Sequence, residues 1–465
     1  MGQGLSSVAM VLVGVIMART LGKTEVAAYQ QTFLAYRTVA PFLALGIGHG
    51  IYYFLPIEED RKKGRIIDSI LILAVMGLMF SVFIALGGNQ ILARRFDNPE
   101  VAELLLWMIP YSLFMVPASH HTAVFVSQGR AGFSSISSTI IQFLITGVTI
   151  LALLVWKNAE SALVGNVIVS CLTAACSMIL MIRLTPGKGY APSARAIKEM
   201  VSYSLPLGFA TMIATLLLSV DRILVSLMTS PEEFAVYSFG AREIPLIGIV
   251  FASLSSVVLV QIRKEVRAGN HQNTIAEFKN YAKITAPILF PVAVFCCVNS
   301  EGIIVILYTA EYSAAAIPFA IYSATVLVRI FPFGAILGGY GKNWFILTQT
   351  SVGLLFNIGL SIVGIYYLGP SGAALATFLT LLIVMAPLSF WKIAKTLECR
   401  LRNLISFSSL SRQLIVAVAF STLQILILAA APVLGLWING VLLALLLFCL
   451  NKQHLTNIPI FRRKS

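Results

Sequence analysis

Long apolar runs, each interrupted by a few polar or charged residues, recur along the whole chain. The pattern predicts helices over 4–19, 27–54, 66–87, 99–127, 133–155, 161–183, 200–228, 233–261, 284–307, 313–337, 344–367, 372–391, 413–434 and 436–450. Runs of this length are read as membrane spans, since about 20 apolar residues cross the hydrocarbon core. The longest hydrophilic segments lie near 184–199, 262–283 and 392–412, and each is too short to fold as a domain.

Composition agrees with that reading. The 465 residues are 58% hydrophobic and 11% charged, with a mean hydropathy of +0.89, whereas a soluble domain carries about 25% charged residues. The 33 basic residues against 19 acidic ones give a net charge of +14. In a soluble protein that excess would suggest nucleic acid. If the 55–65 loop is cytoplasmic, however, 24 basic residues fall on the cytoplasmic side, 5 on the other and 4 inside spans. Such asymmetry reports orientation, so both termini are expected in the cytoplasm and no nucleic-acid partner is expected. The first apolar stretch begins almost at Met1 without a preceding basic residue. It is read as a transmembrane helix that lacks a cytoplasmic lead, because a cleaved signal peptide would need a basic n-region and a small-residue cleavage site.

Motifs for chemistry are missing. Gly338-Gly339-Tyr340-Gly341-Lys342 has neither the spacing nor the hydroxyl of a phosphate-binding loop, and there is no HExxH or paired CxxC. The six cysteines fall mostly within spans, and the Cys296-Cys297 pair reads as packing. His120-His121 lacks carboxylate or cysteine partners at ligand spacing. Neither an enzyme nor a cofactor or metal is therefore expected.

Internal repeats suggest the architecture. Glu25-Val-Ala-Ala-Tyr29 recurs as Glu233-Phe-Ala-Val-Tyr237 at an offset of 208, and Gly129-Arg-Ala-Gly-Phe133 as Gly341-Lys-Asn-Trp-Phe345 at 212. Ser161-Ala-Leu and Ser371-Gly-Ala stand 210 apart. Matches in one order at nearly constant offset predict two six-helix lobes, and because six is even the repeats are parallel. The expected boundaries are a lobe at 1–183, a cytoplasmic linker at 184–199, a second lobe at 200–391, a cytoplasmic loop at 392–412, helices 13 and 14 within 413–450, and a basic tail at 451–465. This is an all-α polytopic fold of about 14 transmembrane helices.

Four arginines inside spans need a reason, since each costs roughly 2.5–3.5 kcal/mol at the bilayer centre. They are Arg37, Arg222, Arg242 and Arg329. Ser204, Gly208, Thr211, Thr215, Ser219 and Arg222 recur every three or four residues, a polar stripe expected to line a cavity or a helix interface. Arg37 and Arg242 fall about ten residues into their helices, roughly 15 Å deep. Either some of these arginines line a hydrated anion path, or they pair with Asp221, Glu243 and Glu301, which could equally couple transport to an ion. Pro41, Pro110, Pro206, Pro245 and Pro332 are candidate kinks. Stripes at Ser135, Ser138, Gln142, Thr146 and Thr149, and at Thr350, Gly353, Asn357 and Ser361, read as helix packing.

Ala18-Arg-Thr-Leu-Gly22, Val220-Asp-Arg222, Ala235-Val-Tyr-Ser-Phe-Gly-Ala241 and Ile306-Leu-Tyr-Thr-Ala-Glu-Tyr312 resemble the polysaccharide transporter family. Its members are O-antigen and exopolysaccharide flippases of the multidrug, oligosaccharidyl-lipid and polysaccharide exporter superfamily. The chain departs from the family at Ala27 and Ala235, where glycine is usual. The resemblance implies two lobes of the MATE type around a basic cavity, with undecaprenyl-diphosphate-linked oligosaccharide as cargo in the bacterial cytoplasmic membrane. It implies that Arg37, Arg222 and Arg242 meet the diphosphate and that helices 13 and 14 help form a groove for the lipid tail. Membrane lipids, a coupling proton or sodium ion and polysaccharide polymerase machinery are the other expected partners. Two alternatives remain open: an ion-coupled drug or cation antiporter of the same fold, and a membrane glycosyl polymerase or ligase, which would carry a large outer loop.

Overall fold

The computed structural model describes residues 2–58, 61–187, 193–242, 261–266, 268–405 and 407–455, and these contain helices and no β-strand. Backbone contacts divide the chain into two units, Met1–Ala235 and Val236–Ser465. In the first unit the helices are α1 (Gly2–Thr20), α2 (Lys23–Leu43), α3 (Ile47–Ile57), α4 (Lys62–Phe83), α5 (Asn89–Arg95), α6 (Glu100–Leu106), α7 (Met108–Ala118), α8 (His121–Ser127), α9 (Ala131–Trp156), α10 (Ala159–Arg183), α11 (Ala194–Leu217) and α12 (Val220–Met228). Helix α13 (Pro231–Gly240) crosses the boundary. The second unit holds α14 (His271–Val298), α15 (Ser300–Tyr308), α16 (Ala316–Thr325), α17 (Phe333–Gly339), α18 (Asn343–Leu368), α19 (Pro370–Leu379), α20 (Ala386–Thr396), α21 (Phe407–Ala430) and α22 (Pro432–Leu455).

Among the described residues, eight helices are long and apolar enough to cross a membrane, or ten if two bent pairs each count as one span. Their outward surface is apolar: Leu86, Trp344 and Tyr366 are 82%, 81% and 79% exposed. Water would penalise such surface, and lipid does not. The chain is a multi-pass membrane protein. The exception is α14, more than half buried, against which α16, α21 and α22 pack. Asn439 Nδ2 donates to Asn299 Oδ1 at 2.8 Å, so a buried amide pair ties α22 to the end of α14.

Several expected spans are two helices in sequence. The 27–54 run bends by 41° between α2 and α3, and the 99–127 run by 49° between α6 and the α7–α8 segment. The 200–228 run breaks between α11 and α12, the 284–307 run at Asn299, and the 313–337 run across the turn at 326–331. Pro41, Pro110 and Pro332 lie beside such breaks, where a missing N–H costs least. Helix α11 instead continues across Pro206, and Pro245 lies outside the described residues, as does most of the 233–261 run.

The repeated sequence fragments are repeated helix ends. Glu25 accepts from the Gly22 N–H at 3.1 Å, and Glu233 accepts from the Ser230 N–H at 3.2 Å, so each opens its helix with a capping carboxylate. Gly129 and Gly341 have φ of +76° and +67°. In both turns the glycine N–H donates three residues back and the following basic residue five back, to Phe125 and Leu337 respectively. A Cβ would strain both turns, which explains why glycine stands at these matched positions. Contacts nevertheless place α11 and α12 with the first unit: α11 packs on α3, α2 and α4.

Candidate functional site

Helix α2 carries Arg37 above an aromatic floor. Tyr29, Phe33 and Tyr36 are buried, and Tyr111 of α7 packs edge-on against Phe33 and Tyr36 with centroids 5.8 and 4.9 Å apart. The Arg37 guanidinium lies 5.5 Å above the Phe33 ring, a cation–π contact. Beneath it Asn166 Nδ2 donates to Thr149 Oγ1 at 3.3 Å and reaches Tyr29 Oη at 3.5 Å. Arg37 itself is exposed and, among the described residues, forms no salt bridge. A charge inside a span is costly unless it faces water or a partner.

Nearly two turns beyond Arg37 the helix stops. Leu45 and Gly46 both adopt positive φ, 49° and 67°, and α3 restarts from Gly46 in a new direction. A Cβ at Gly46 would come within 2.5 Å of the Ser204 carbonyl oxygen and 2.6 Å of Gly208, so α3 crosses α11 backbone to backbone. The Ser204–Gly208 part of the predicted stripe is thus a helix interface, and Thr211, one turn on, is exposed. Thr211 Oγ1 is 3.2 Å from His49 Nε2. Together with the turn at Ser119–His120, these groups border an open pocket of about 290 Å³ lined by Pro41, His49, Tyr52, Ser119, Thr122 and Thr211 among others.

His120 and His121 are structural. His120 Nε2 is 2.8 Å from Ser69 Oγ of α4, and His121 Nε2 is 3.2 Å from Ser138 Oγ of α9, so the pair pins two neighbouring helices. Among the described residues no group of three potential metal ligands occurs. The other two stripes also make helix contacts: Asn357 Nδ2 donates to Thr377 Oγ1 at 3.3 Å, and Thr149 receives Asn166.

The remaining predicted residues are distributed between the units. Arg222, half-buried, lies in α12 beside Asp221, which is buried in that helix's first turn. Gln31 Nε2 of α2 donates to Ser226 Oγ of α12 at 3.0 Å. That bond brings α12 against α2, the helix that carries Arg37. In the second unit Arg242 donates through Nε to the Ser238 carbonyl at 3.0 Å and lies 5.3 Å above Phe239. Phe239 stacks on Tyr308 at 4.3 Å and meets Tyr312 edge-on, so two of the quoted sequence motifs are packing partners. Both units thus set an arginine over a phenylalanine that packs on tyrosine. Arg329 is half-buried in the 326–331 turn, and Glu301 is exposed in the first turn of α15. Glu243 lies outside the described residues.

The sequence reading missed His49, Tyr52, Ser119 and Thr122, although the alternating glycines of Gly46-Ile-Gly-His-Gly50 were a sign of close backbone approach. It also counted Arg65 among the orientation charges. In the structure Arg65 is 3% exposed. Its Nε donates to both Glu58 carboxylate oxygens at 3.0 and 2.9 Å, its guanidinium also bonds Glu199 and the Ala196 carbonyl, and it lies 4.6 Å above Phe54. This hub joins the end of α3 to the first turns of α4 and α11.

A family model described as "Polysaccharide biosynthesis protein" matches residues 1–260. The fold is similar to that of lipid II flippase MurJ in an inward closed conformation, at 15% identity and a TM-score of 0.75, covering 97% of this chain and 99% of that one. It is also similar to an inward-facing multidrug resistance MATE family transporter of the MOP superfamily, at 13% identity and a TM-score of 0.71, covering 84% and 94% respectively. No curated protein matches. Identities this low establish the fold, and the function rests on the family and the site.

Proposed function

Since this chain belongs to the polysaccharide biosynthesis protein family, we propose that it is a flippase that carries an undecaprenyl-diphosphate-linked oligosaccharide across the bacterial cytoplasmic membrane by alternating access. The observation that carries this reading is the exposed Arg37 guanidinium, within an apolar span and without a salt bridge among the described residues. A guanidinium offers a planar fork of donors that suits phosphate oxygens, and its cation–π seat over Phe33 holds it ready. Arg222, on the helix bonded to α2 through Gln31 and Ser226, would meet the same diphosphate. Arg242 and Arg329 would serve in the second unit, and Asp221 and Glu301 would balance charge or couple an ion.

The chain then acts as a transporter with no catalytic group, and both termini lie in the cytoplasm. Disrupting the gene should trap lipid-linked repeat units on the cytoplasmic leaflet. An unchanged leaflet distribution together with lost drug or cation efflux would overturn the proposal.

A further inference from the structure

Two spans of the second unit set their basic residues among aromatic rings. Helices α18 and α20 lie side by side, joined where the buried Gln349 amide donates to Ser389 Oγ at 2.7 Å. The start of α18 meets the end of α20, on the side to which the charge count assigns the cytoplasm. There the Lys392 ammonium lies 5.1 Å from the Phe345 ring of α18 and 6.0 Å from the Trp391 ring, and the Lys395 ammonium lies 5.5 Å from that same Trp391 ring. Two like charges thus share one indole, held by cation–π attraction.

Orientation requires basic residues on this side, but not that they be seated together on one ring. The seat leaves their donors unused. The salt bridges among the described residues all lie in the first unit, and Glu398, exposed just beyond α20, pairs with neither lysine. The surface around the ammoniums is apolar: Trp344 and Trp391 are exposed, as are Val352 and Leu355 further along α18 and Ile383 just before α20. Lipid covers such a surface, so acyl chains meet the rings while the ammoniums stand among headgroups. A partner that fits must join a net negative charge to an apolar tail. A soluble phosphate has no tail, and a zwitterionic lipid carries a cation of its own that these lysines repel. We propose that the adjoining ends of α18 and α20 bind an anionic phospholipid, whose phosphate accepts from Lys392 and Lys395 and whose acyl chain lies against Trp391 and Trp344. The site is independent of the cargo.

The test places full-length protein in phosphatidylcholine nanodiscs and follows tryptophan fluorescence as brominated phosphatidylglycerol or brominated phosphatidylcholine, both contact quenchers, replaces part of the lipid. Wild-type protein should reach half of its quenching at about a tenfold lower fraction of the anionic lipid than of the zwitterionic one. Lys392→Gln with Lys395→Gln should bring the two curves together. Lys62→Gln with Lys63→Gln, which removes the same charge from the start of α4, should leave them apart, and Trp344→Phe with Trp391→Phe should abolish the part of the quenching that is specific to phosphatidylglycerol. An excess of soluble glycerol phosphate should change nothing. Coincident curves for wild-type protein would overturn the site, as would an equal loss of preference in both lysine pairs, a preference that survives in Lys392→Gln with Lys395→Gln or in the tryptophan variant, or reversal by glycerol phosphate.

Discussion

Two arginines of the first unit show opposite solutions to the same cost. Arg65 is buried and saturated: Glu58, Glu199, the Ala196 carbonyl and the Phe54 ring take up its guanidinium. Arg37 is exposed, lies over the Phe33 ring, and forms no salt bridge among the described residues. A satisfied buried charge fixes geometry and has little capacity left for a ligand. A charge that is solvated and held over a ring can exchange water for an incoming anion. The difference teaches that partners and exposure, more than the presence of a charge in the sequence, separate architecture from transport.

The strongest way to break this comparison is Glu58→Ala. It leaves Arg65 buried with Glu199 as its remaining carboxylate, and removing one member of a buried pair costs about 3 kcal/mol or more. The unfolding midpoint in detergent should fall sharply, and an unchanged midpoint would show that the hub is not structural. Next is Gly46→Ala. At φ +67°, with the Ser204 carbonyl 2.5 Å from the added Cβ, it should cost about 2 kcal/mol and reduce the yield of folded protein, which size-exclusion profiles would report.

Arg37→Lys sharpens the other side. It keeps the charge and loses the fork, so affinity for a prenyl diphosphate should drop about tenfold, or 1.4 kcal/mol, with the unfolding midpoint unchanged. Equal affinity would mean that the charge alone matters. The smallest effect is expected for Phe33→Leu, which removes a cation–π contact worth about 0.5–1 kcal/mol. Binding should weaken two- to fivefold.

Hydropathy made the all-α membrane fold legible, because lipid imposes one strong rule on every span. The repeats were legible through their ends: Glu25 and Glu233 cap helices, and Gly129 and Gly341 adopt positive φ, so short motifs survive where local geometry demands a residue type. Breaks inside spans were legible only in part: Pro41, Pro110 and Pro332 marked three of them, whereas the break between α11 and α12 falls in a stretch without proline or glycine. The packing of α11 on the first unit depends on the Gly46–Gly208 contact, a pairing between residues 162 positions apart that no local pattern encodes. Arg37 stood out because it interrupts an apolar run. Arg65 did not, because it sits near a loop where basic residues are expected for topological reasons.

The decisive measurement is the initial rate at which a short-chain prenyl-diphosphate oligosaccharide crosses the bilayer of proteoliposomes with equal amounts of folded wild-type and Arg37→Ala protein, with unfolding midpoints taken on the same preparations. If Arg37 binds the anion, the loss of a charged hydrogen-bonding group worth about 1.5–3 kcal/mol should slow translocation by roughly 10- to 100-fold while the midpoint stays within error. Wild-type rates in the variant, with or without a lowered midpoint, would make Arg37 a packing residue and contradict the proposed role.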